Sequence, residues 1–250
     1  MTKTGVVCTR LGILLGLFML WQLIVLTGLA DVRTLPLPST VLVRVVEMLG
    51  EKYVLFNLWI TVAQVFLAFV IVVPIGIIAG LFLGESKYWG QVFKPFFYFM
   101  TSVPKSVFLP LFILALGTGF SQKVVFGIFQ AIFVLVICAI AATETVPNEY
   151  LKMARSYGAS RRQLYVEIYL PAMLPILLEG LRLGMIFNIT GVLFAEMYAS
   201  RAGLGHLVAL WGMRFEMVNL FAGIALASIL AILINETLRH YENKLSRWRT

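Results

Sequence analysis

Long apolar runs separated by short charged stretches dominate the pattern of hydrophobic and polar positions along the chain. No charged residue occurs from Leu11 to Ala30, from Tyr53 to Gly84 or from Val124 to Thr143. Each run is at least as long as the roughly 20 residues with which an α-helix crosses about 30 Å of hydrocarbon. Because the runs are apolar on every face and do not alternate in polarity, they predict transmembrane helices and not the strands of a membrane barrel.

The fifth apolar run is too short to span a membrane by itself. It extends from Leu183 to Ala195, and its 13 residues cover only about 20 Å at 1.5 Å per residue. The helix must therefore reach back past Arg182 and Glu179. These two charges are three residues apart on one helical face, so we expect a mutual ion pair near the cytoplasmic interface, with a substrate site as the alternative.

Together the runs predict an all-α membrane protein with six transmembrane helices. The third is expected to be kinked, because Pro104, Lys105 and Pro110 fall inside it and neighbouring helices must satisfy the freed backbone groups. The predicted spans are about 11–30, 58–83, 96–117, 124–143, 175–196 and 217–238, between a short N-terminus (1–10) and a basic tail (239–250). The composition agrees, since 60% hydrophobic and 13% charged residues are far from the balance of a soluble protein.

The distribution of Lys and Arg predicts that both termini face the cytoplasm, because positive residues are retained on that side. Six lie in the parts that would then be external: Arg33, Arg44, Lys52, Lys123, Arg201 and Arg214. Twelve lie in the cytoplasmic parts: Lys3, Arg10, Lys87, Lys94, Lys152, Arg155, Arg161, Arg162, Arg239, Lys244, Arg247 and Arg249. The formal charge of +8 is therefore explained by the Lys and Arg residues that set the orientation in the membrane. We expect no nucleic-acid partner.

Two other features of the sequence could indicate a cleaved signal peptide or a site formed by Cys and His, and neither is favoured. The first run could be a cleavable signal peptide, but its 20 uncharged residues exceed the usual apolar region of about 7 to 15. Cys8, Cys138, His206 and His240 are too scattered to form a disulfide framework or a metal site, so we expect no metal.

The connection between the fourth and fifth spans, 144–171, has the signals of a helix-turn-helix. Asn148 can cap a first helix that ends at Tyr157, with Tyr150, Ala154 and Tyr157 on one face. Gly158 follows in the position where a left-handed residue commonly ends a helix. Ser160 and Gln163 form a capping box that opens the second helix.

The same loop resembles the signature of the integral-membrane permease subunits of bacterial binding-protein-dependent ABC importers. That signature reads E-A-A, three residues, Gly, nine residues, Ile-x-Leu-Pro. Gly158 and the segment IYLP (168–171) have this spacing. At its start Lys152 and Met153 stand in place of Glu and Ala, while Ala154 is kept, so a first-position carboxylate is missing here.

The resemblance covers nearly the whole chain after residue 35. Over this length the sequence is similar to the nitrate, sulfonate and taurine branch of these permeases. Its landmarks are LPLPSTVL (35–42), PIGIIAGLFLG (74–84), VPKSVFLPLFILALGTG (103–119), ARSYGAS (154–160), LPAMLPILLEGLRLG (170–184) and AEMYASRAGLGHL (195–207). It implies an importer permease fold in the bacterial inner membrane. The solute it implies is small and anionic, of the nitrate, taurine or other sulfonate, bicarbonate or vitamin-precursor type.

The resemblance also implies the partners. They are two cytoplasmic ABC ATPase subunits, a second permease subunit that completes a homodimer, with a close paralogue as the alternative, and an extracytoplasmic solute-binding protein. The chain has no G-x-x-x-x-G-K-[ST] loop, so we expect no enzyme activity and no cofactor on it, with ATP and Mg²⁺ bound by the ATPase. The residues expected to couple to the ATPase are Tyr150, Lys152, Met153, Ala154, Arg155, Tyr157, Gly158, Ala159, Ile168, Leu170 and Pro171.

Candidates for the translocation path are polar residues within or at the ends of the spans: Gln64, Asn188, Thr190 and Glu196. Hydrogen bonding between helices explains such residues equally well. The segment from Ser200 to Phe215 predicts a short re-entrant or surface helix. An ion-coupled secondary transporter or channel is the alternative function, although we find neither deep charge clusters nor an inverted repeat.

Overall fold

The computed structural model describes residues 3–146, 148–198 and 200–245, and in these ranges it is helical without any strand. The all-α prediction is therefore confirmed. The elements are α1 (Lys3–Leu26), α2 (Pro38–Met48), α3 (Lys52–Glu85), α4 (Lys87–Ser102), a 3-10 turn (Lys105–Phe108), α5 (Leu109–Leu116), α6 (Phe120–Glu144), α7 (Asn148–Ser156), α8 (Arg161–Gln163), a π-helical segment (Leu164–Tyr169), α9 (Leu170–Tyr198), α10 (Leu204–Met213) and α11 (Met217–Leu245).

Five helices among the described residues are long and apolar enough to cross a membrane, and the bent pair of α4 and α5 makes a sixth span if counted as one. The first helix begins and ends earlier than the span predicted at 11–30. It ends at Leu26 because Gly28 adopts φ +75°, a conformation that does not continue an α-helix. The side chain of Asn148 and the tail beyond Leu245 lie outside the described residues.

The third span is broken, not merely kinked. Its two halves, Lys87–Ser102 and Lys105–Leu116, are bent by 91°. Val103 and Pro104 between them are extended, because the proline ring disfavours a helical residue before it and removes a donor. The prolines predicted the position of the break but not its angle.

α6 is the central helix, and glycines bring α3 against it. A Cβ at Gly80 would lie 2.6 Å from the Val136 carbonyl oxygen, so nothing larger than hydrogen fits there. Small residues at this spacing let two membrane helices approach closely. Gly76, Gly80 and Gly84 recur every fourth residue and face Leu135, Ala139 and Thr143 of α6.

Glycines also bring α9 against α6. A Cβ at Gly180 would lie 2.5 Å from Cys138 Cβ, and one at Gly184 would lie 2.8 Å from the Leu135 side chain. The three helices α3, α6 and α9 therefore form one tightly packed unit. Helices α7 and α10 are attached to opposite ends of this unit.

α2, α10 and α11 close one end of the bundle. Val41, Val45 and Met48 of α2 recur at helical spacing and pack on α10 and α11. Arg44, on another face of α2, pairs with Glu51 at 2.7 Å and donates to Asn219 Oδ1 of α11 at 2.6 Å. The helix predicted within 200–215 is α10.

The ion pair predicted between Glu179 and Arg182 is wrong. Arg182 Nη1 lies instead 3.7 Å from Glu242 Oε2 on α11. The three-residue spacing allowed the local pair, but the packing of α11 beside α9 supplies a carboxylate from another helix. This arginine therefore ties the end of the last helix to the fifth span.

Candidate functional site

The loop between α6 and α9 consists, as predicted, of a short helix, a turn at a glycine and a second helix. α7 is anchored to the bundle by Leu151, which is 7% exposed and packs with Val146, Leu164 and Met173. Leu151 was not among the residues predicted for this loop, although its spacing from Ala154 places both on the inner side of α7. Ala154 is half-buried against the same cluster.

The outer side of α7 presents apolar side chains to the surface. Tyr150, Met153 and Tyr157 are all exposed, at the i, i+3, i+7 spacing of one helical face. The predicted grouping of Tyr150 and Tyr157 with Ala154 on a single face is therefore wrong in part, since Ala154 turns inward. Lys152 and Arg155 are exposed, as expected of residues at a rim.

The turn after α7 is a Schellman motif. Gly158 has φ +78°. The Ala159 N–H donates to the Ala154 carbonyl, and the Gly158 N–H donates to the Arg155 carbonyl, both at 3.0 Å. These are the two bonds that define the motif. Nothing lies within 4 Å of a Cβ built at Gly158, so it is the backbone conformation, and not a lack of space, that favours glycine here.

The second helix of the loop opens with the predicted capping box. The Gln163 N–H donates to Ser160 Oγ at 3.3 Å, and the Ser160 N–H donates to Gln163 Oε1 at 2.9 Å. The helix then widens into the π-helical segment and runs into α9 without a break. The chain thus enters the fifth span as one continuous helix through Leu170 and Pro171, and not through a separate connection.

A groove of about 590 Å³ lies between α7 and the start of α9. It gathers Met153 and Ala154 from the first half of the loop with Ile168 and Pro171 from the second half. These residues belong to the two ends of the signature, which are separated in sequence by Gly158. The groove is lined by Thr145, Tyr150, Met153, Ala154, Glu167, Ile168, Pro171, Ala172, Pro175 and Ile176. Ala159 is half-buried beside it and Leu170 is exposed.

Polar contacts connect the loop to the link between α3 and α4. The Tyr165 hydroxyl, in the π-helical segment, donates to Glu85 Oε2 at 2.7 Å. Lys94 of α4 pairs with Glu144 at the end of α6 at 2.8 Å. These two contacts join the loop to the end of α3 and to α4.

Three of the four polar residues predicted for a path lie along one stretch of α3, because Asn188 and Glu196 bond to Val65 and Thr61 on either side of Gln64. Gln64 is buried with Oε1 unpaired, and it borders a cavity of about 460 Å³ with Gly119, Ser200 and Arg201 at the α10 end. Thr190 is exposed on another side of the bundle and donates to the Ile186 carbonyl. The role of these residues in a path stays a prediction.

Asn188 lies between α3 and α6, fully buried. Its Nδ2 donates to the Val65 carbonyl at 2.8 Å, and its Oδ1 has no partner. A Cβ at Gly127 of α6 would meet this amide, so Asn188 fills the contact between the two helices. Hydrogen bonding between helices explains this position of Asn188, and its role in a path stays a prediction.

Glu196 fastens α10 to α3 and α9. It is fully buried and accepts bonds from Thr61 Oγ1 and from the Gly205 N–H, both at 2.8 Å. Thr61 in turn accepts from the Leu204 N–H, and Asn57 accepts from the Gly203 N–H. A carboxylate with these partners holds the start of α10, while a gating role remains a prediction.

Among the described residues, no group of three or more His, Cys, Asp or Glu side chains could hold a metal ion.

Comparison with known proteins places the chain among transport proteins. A family model described as "Binding-protein-dependent transport system inner membrane component" matches residues 72–243. The taurine transport system permease protein TauC of Escherichia coli (strain K12) is 30% identical over 97% of this chain and 90% of its own length. The putative aliphatic sulfonates transport permease protein SsuC of Bacillus subtilis (strain 168) is 27% identical over 92% of this chain and 83% of its own.

A solved structure of the MetNI methionine ABC transporter, in an inward-facing conformation, resembles the fold. Its TM-score is 0.66 at 18% identity, and the match covers 76% of this chain and 94% of the transporter chain. At this identity the likeness concerns the fold alone. It confirms the importer permease fold predicted from the sequence.

Proposed function

We propose a function from the premise that this chain belongs to the family of binding-protein-dependent transport system inner membrane components, whose model covers residues 72–243. The chain, a multi-pass membrane protein, is the permease subunit of an ATP-driven importer. It forms the translocation path for a small anionic solute delivered by a solute-binding protein. The relatives named for taurine and aliphatic sulfonates favour a sulfonate over nitrate, bicarbonate or a vitamin precursor.

The groove beside α7 is the observation that supports coupling to an ATPase. It is open at the surface, apolar in its walls and flanked by the exposed side chains of Tyr150, Met153 and Tyr157. Exposed apolar anchors with basic residues at the rim are typical of a protein interface. Lys152 and Arg155 supply that rim. We assign this surface to the ATPase, whose own residues would bind ATP and Mg²⁺.

The path itself is assigned to the interface of two permease copies. Asn188 and Glu196 are buried where they bond to α3 beside the buried Gln64, whereas Thr190 is exposed, so these side chains do not line one open channel within a single copy. A second copy provides the missing wall. The groove on each copy would then take one of the two ATPase subunits.

The test compares ATP hydrolysis by the purified chain, by the chain assembled with its ATPase, and by that complex with the solute-loaded binding protein. We expect no hydrolysis by the chain alone and stimulation of the complex by the loaded binding protein. Robust hydrolysis by the isolated chain would overturn the assignment. Transport driven by an ion gradient without any ATPase would favour a secondary transporter instead.

The orientation of the chain follows from the same assignment. A groove that meets an ATPase must lie in the cytoplasm, so α7 and both termini are placed on that side, and α2 and α10 lie on the external side. We expect alkaline phosphatase fused after Thr250 to be inactive and the same enzyme inserted in the link between α1 and α2 to be active. The opposite pattern would reverse the topology.

A further inference from the structure

Lys105 lies at the break of the third span. It opens the 3-10 turn that follows the extended residues Val103 and Pro104. Non-helical backbone at membrane depth is tolerated where it is buried in protein or lines a water-filled cavity. Discontinuous helices of this kind frequently provide binding sites in transporters.

The ammonium group of Lys105 reaches the middle of the bundle. Its Nζ lies 5.9 Å from the ring centre of Phe133 and 5.3 Å from that of Phe187. Phe133 is near the midpoint of α6, about 17 to 20 Å from either helix end at 1.5 Å per residue. The charge of Lys105 therefore lies close to the bilayer midplane, where an ionised group is costly and is usually functional.

Lys105 differs from Arg44, Lys94 and Arg182 in having no carboxylate partner among the described residues. It is 8% exposed, and among the described residues its charge contacts only the two aromatic rings. Arg44, Lys94 and Arg182 each pair with a carboxylate. A buried cation without a counter-charge is unfavourable, so the structure provides a positive site that an anion from outside the chain would complete.

A cavity lies next to this site along one face of α9. Phe187, whose ring lies against the ammonium, is 37% exposed. Phe194 and Tyr198 follow it at i+7 and i+11, on the same face. They border a cavity of about 270 Å³ that includes Ser106, the residue next to Lys105. An aromatic wall thus extends from the α10 end of the bundle to the midplane.

We propose that Lys105 binds the oxyanion group of the transported solute on its way through the membrane. This inference rests on the proposed function and names the residue that would recognise the anion. The three N–H donors of the ammonium bond to sulfonate or carboxylate oxygens, and the charge makes these bonds stronger than neutral ones. The rings offer no competing hydrogen-bond acceptor of similar strength, so the anion replaces only weak contacts when it arrives.

Uptake measurements test this role in the assembled complex. Proteoliposomes that contain the permease, its ATPase and its binding protein are compared for uptake of radiolabelled taurine at equal ATPase content. We expect Lys105→Met to lower uptake at least tenfold, and Lys105→Arg to restore part of it because the charge returns. Lys87→Met, at an exposed lysine of α4, serves as the control and should match the wild type.

Chemical protection tests the anion contact without depending on delivery by the binding protein. The detergent-solubilised wild-type complex is treated with formaldehyde and a borane reductant, and methylation of each lysine is measured by mass spectrometry. We expect methanesulfonate to slow methylation of Lys105 at least threefold. The neutral methanesulfonamide should not do so, and Lys87 should be unaffected by either compound.

The outcomes separate this inference from the proposed function. Absence of taurine uptake in the wild type would count against the proposed solute, while protection of Lys105 would still support an anion site. Wild-type uptake by Lys105→Met would overturn the inference. Methylation of Lys105 that methanesulfonate does not slow, or a Lys105 that is never methylated, would overturn it as well.

Discussion

Replacing Gly158 with valine is expected to reduce solute uptake by the assembled transporter roughly 5- to 30-fold while the chain still inserts into the membrane. Gly158 adopts φ +78° in the Schellman turn, a conformation that costs a residue with a Cβ about 1 to 2 kcal/mol and a β-branched residue more. Such an energy corresponds to this range of population change. The strain would alter the angle between α7 and the helix that begins at Arg161.

Gly158→Asn is the matched control, because asparagine tolerates the left-handed conformation. Since nothing lies within 4 Å of the added Cβ, neither variant meets a steric obstacle, and any difference between them reports the backbone. We expect Gly158→Asn to retain most of the uptake and the ATPase. If Gly158→Val retained both as well, the loop would not be the coupling element. The link between α3 and α4, which the loop contacts through Glu85, would then be the next surface to test.

Gly80→Leu is expected to prevent correct packing of the bundle and to give little folded protein. A Cβ at this position would already lie 2.6 Å from a backbone oxygen of α6, and a backbone atom cannot rotate away. Overpacking a tight core costs about 1 to 3 kcal/mol or more, and leucine adds three further carbons. The measurement is the yield of monodisperse protein and its unfolding temperature in detergent.

Gly16→Leu provides the comparison for this prediction. Gly16 is also within an apolar helix, but nothing lies within 4 Å of a Cβ built there. The two variants therefore differ in packing and not in hydrophobicity. We expect Gly16→Leu to match the wild type. Equal yields and unfolding temperatures for both variants would contradict the close contact of α3 with α6.

The sequence predicted the parts of the fold that depend on local pattern. Uncharged runs located the spans, and Gly158, Ser160 and Gln163 predicted the turn of the loop, because caps and left-handed turns depend on a few adjacent residues. The spacing of Gly76, Gly80 and Gly84 is a further local signal, since small residues every fourth position favour close packing of membrane helices.

Other features depend on which helices become neighbours, and no local pattern contains that information. Arg182 was assigned a partner on its own helix, whereas Glu242 reaches it from another. Leu151 anchors α7 because α6 and α9 meet beneath it. Lys105 could be read as an unusual charge in a span, but its lack of an anionic partner became visible only once the helices around it were placed.

The central claim, that this chain is a permease subunit which works with a separate ATPase, is tested most directly by native mass spectrometry of the complex purified through a tag on the chain. The account predicts an assembly with two copies of the 28.0 kDa chain and two copies of an ATPase that contains a G-x-x-x-x-G-K-[ST] loop. Chain that purifies from its native membrane without any ATPase, and still transports its solute, would contradict it.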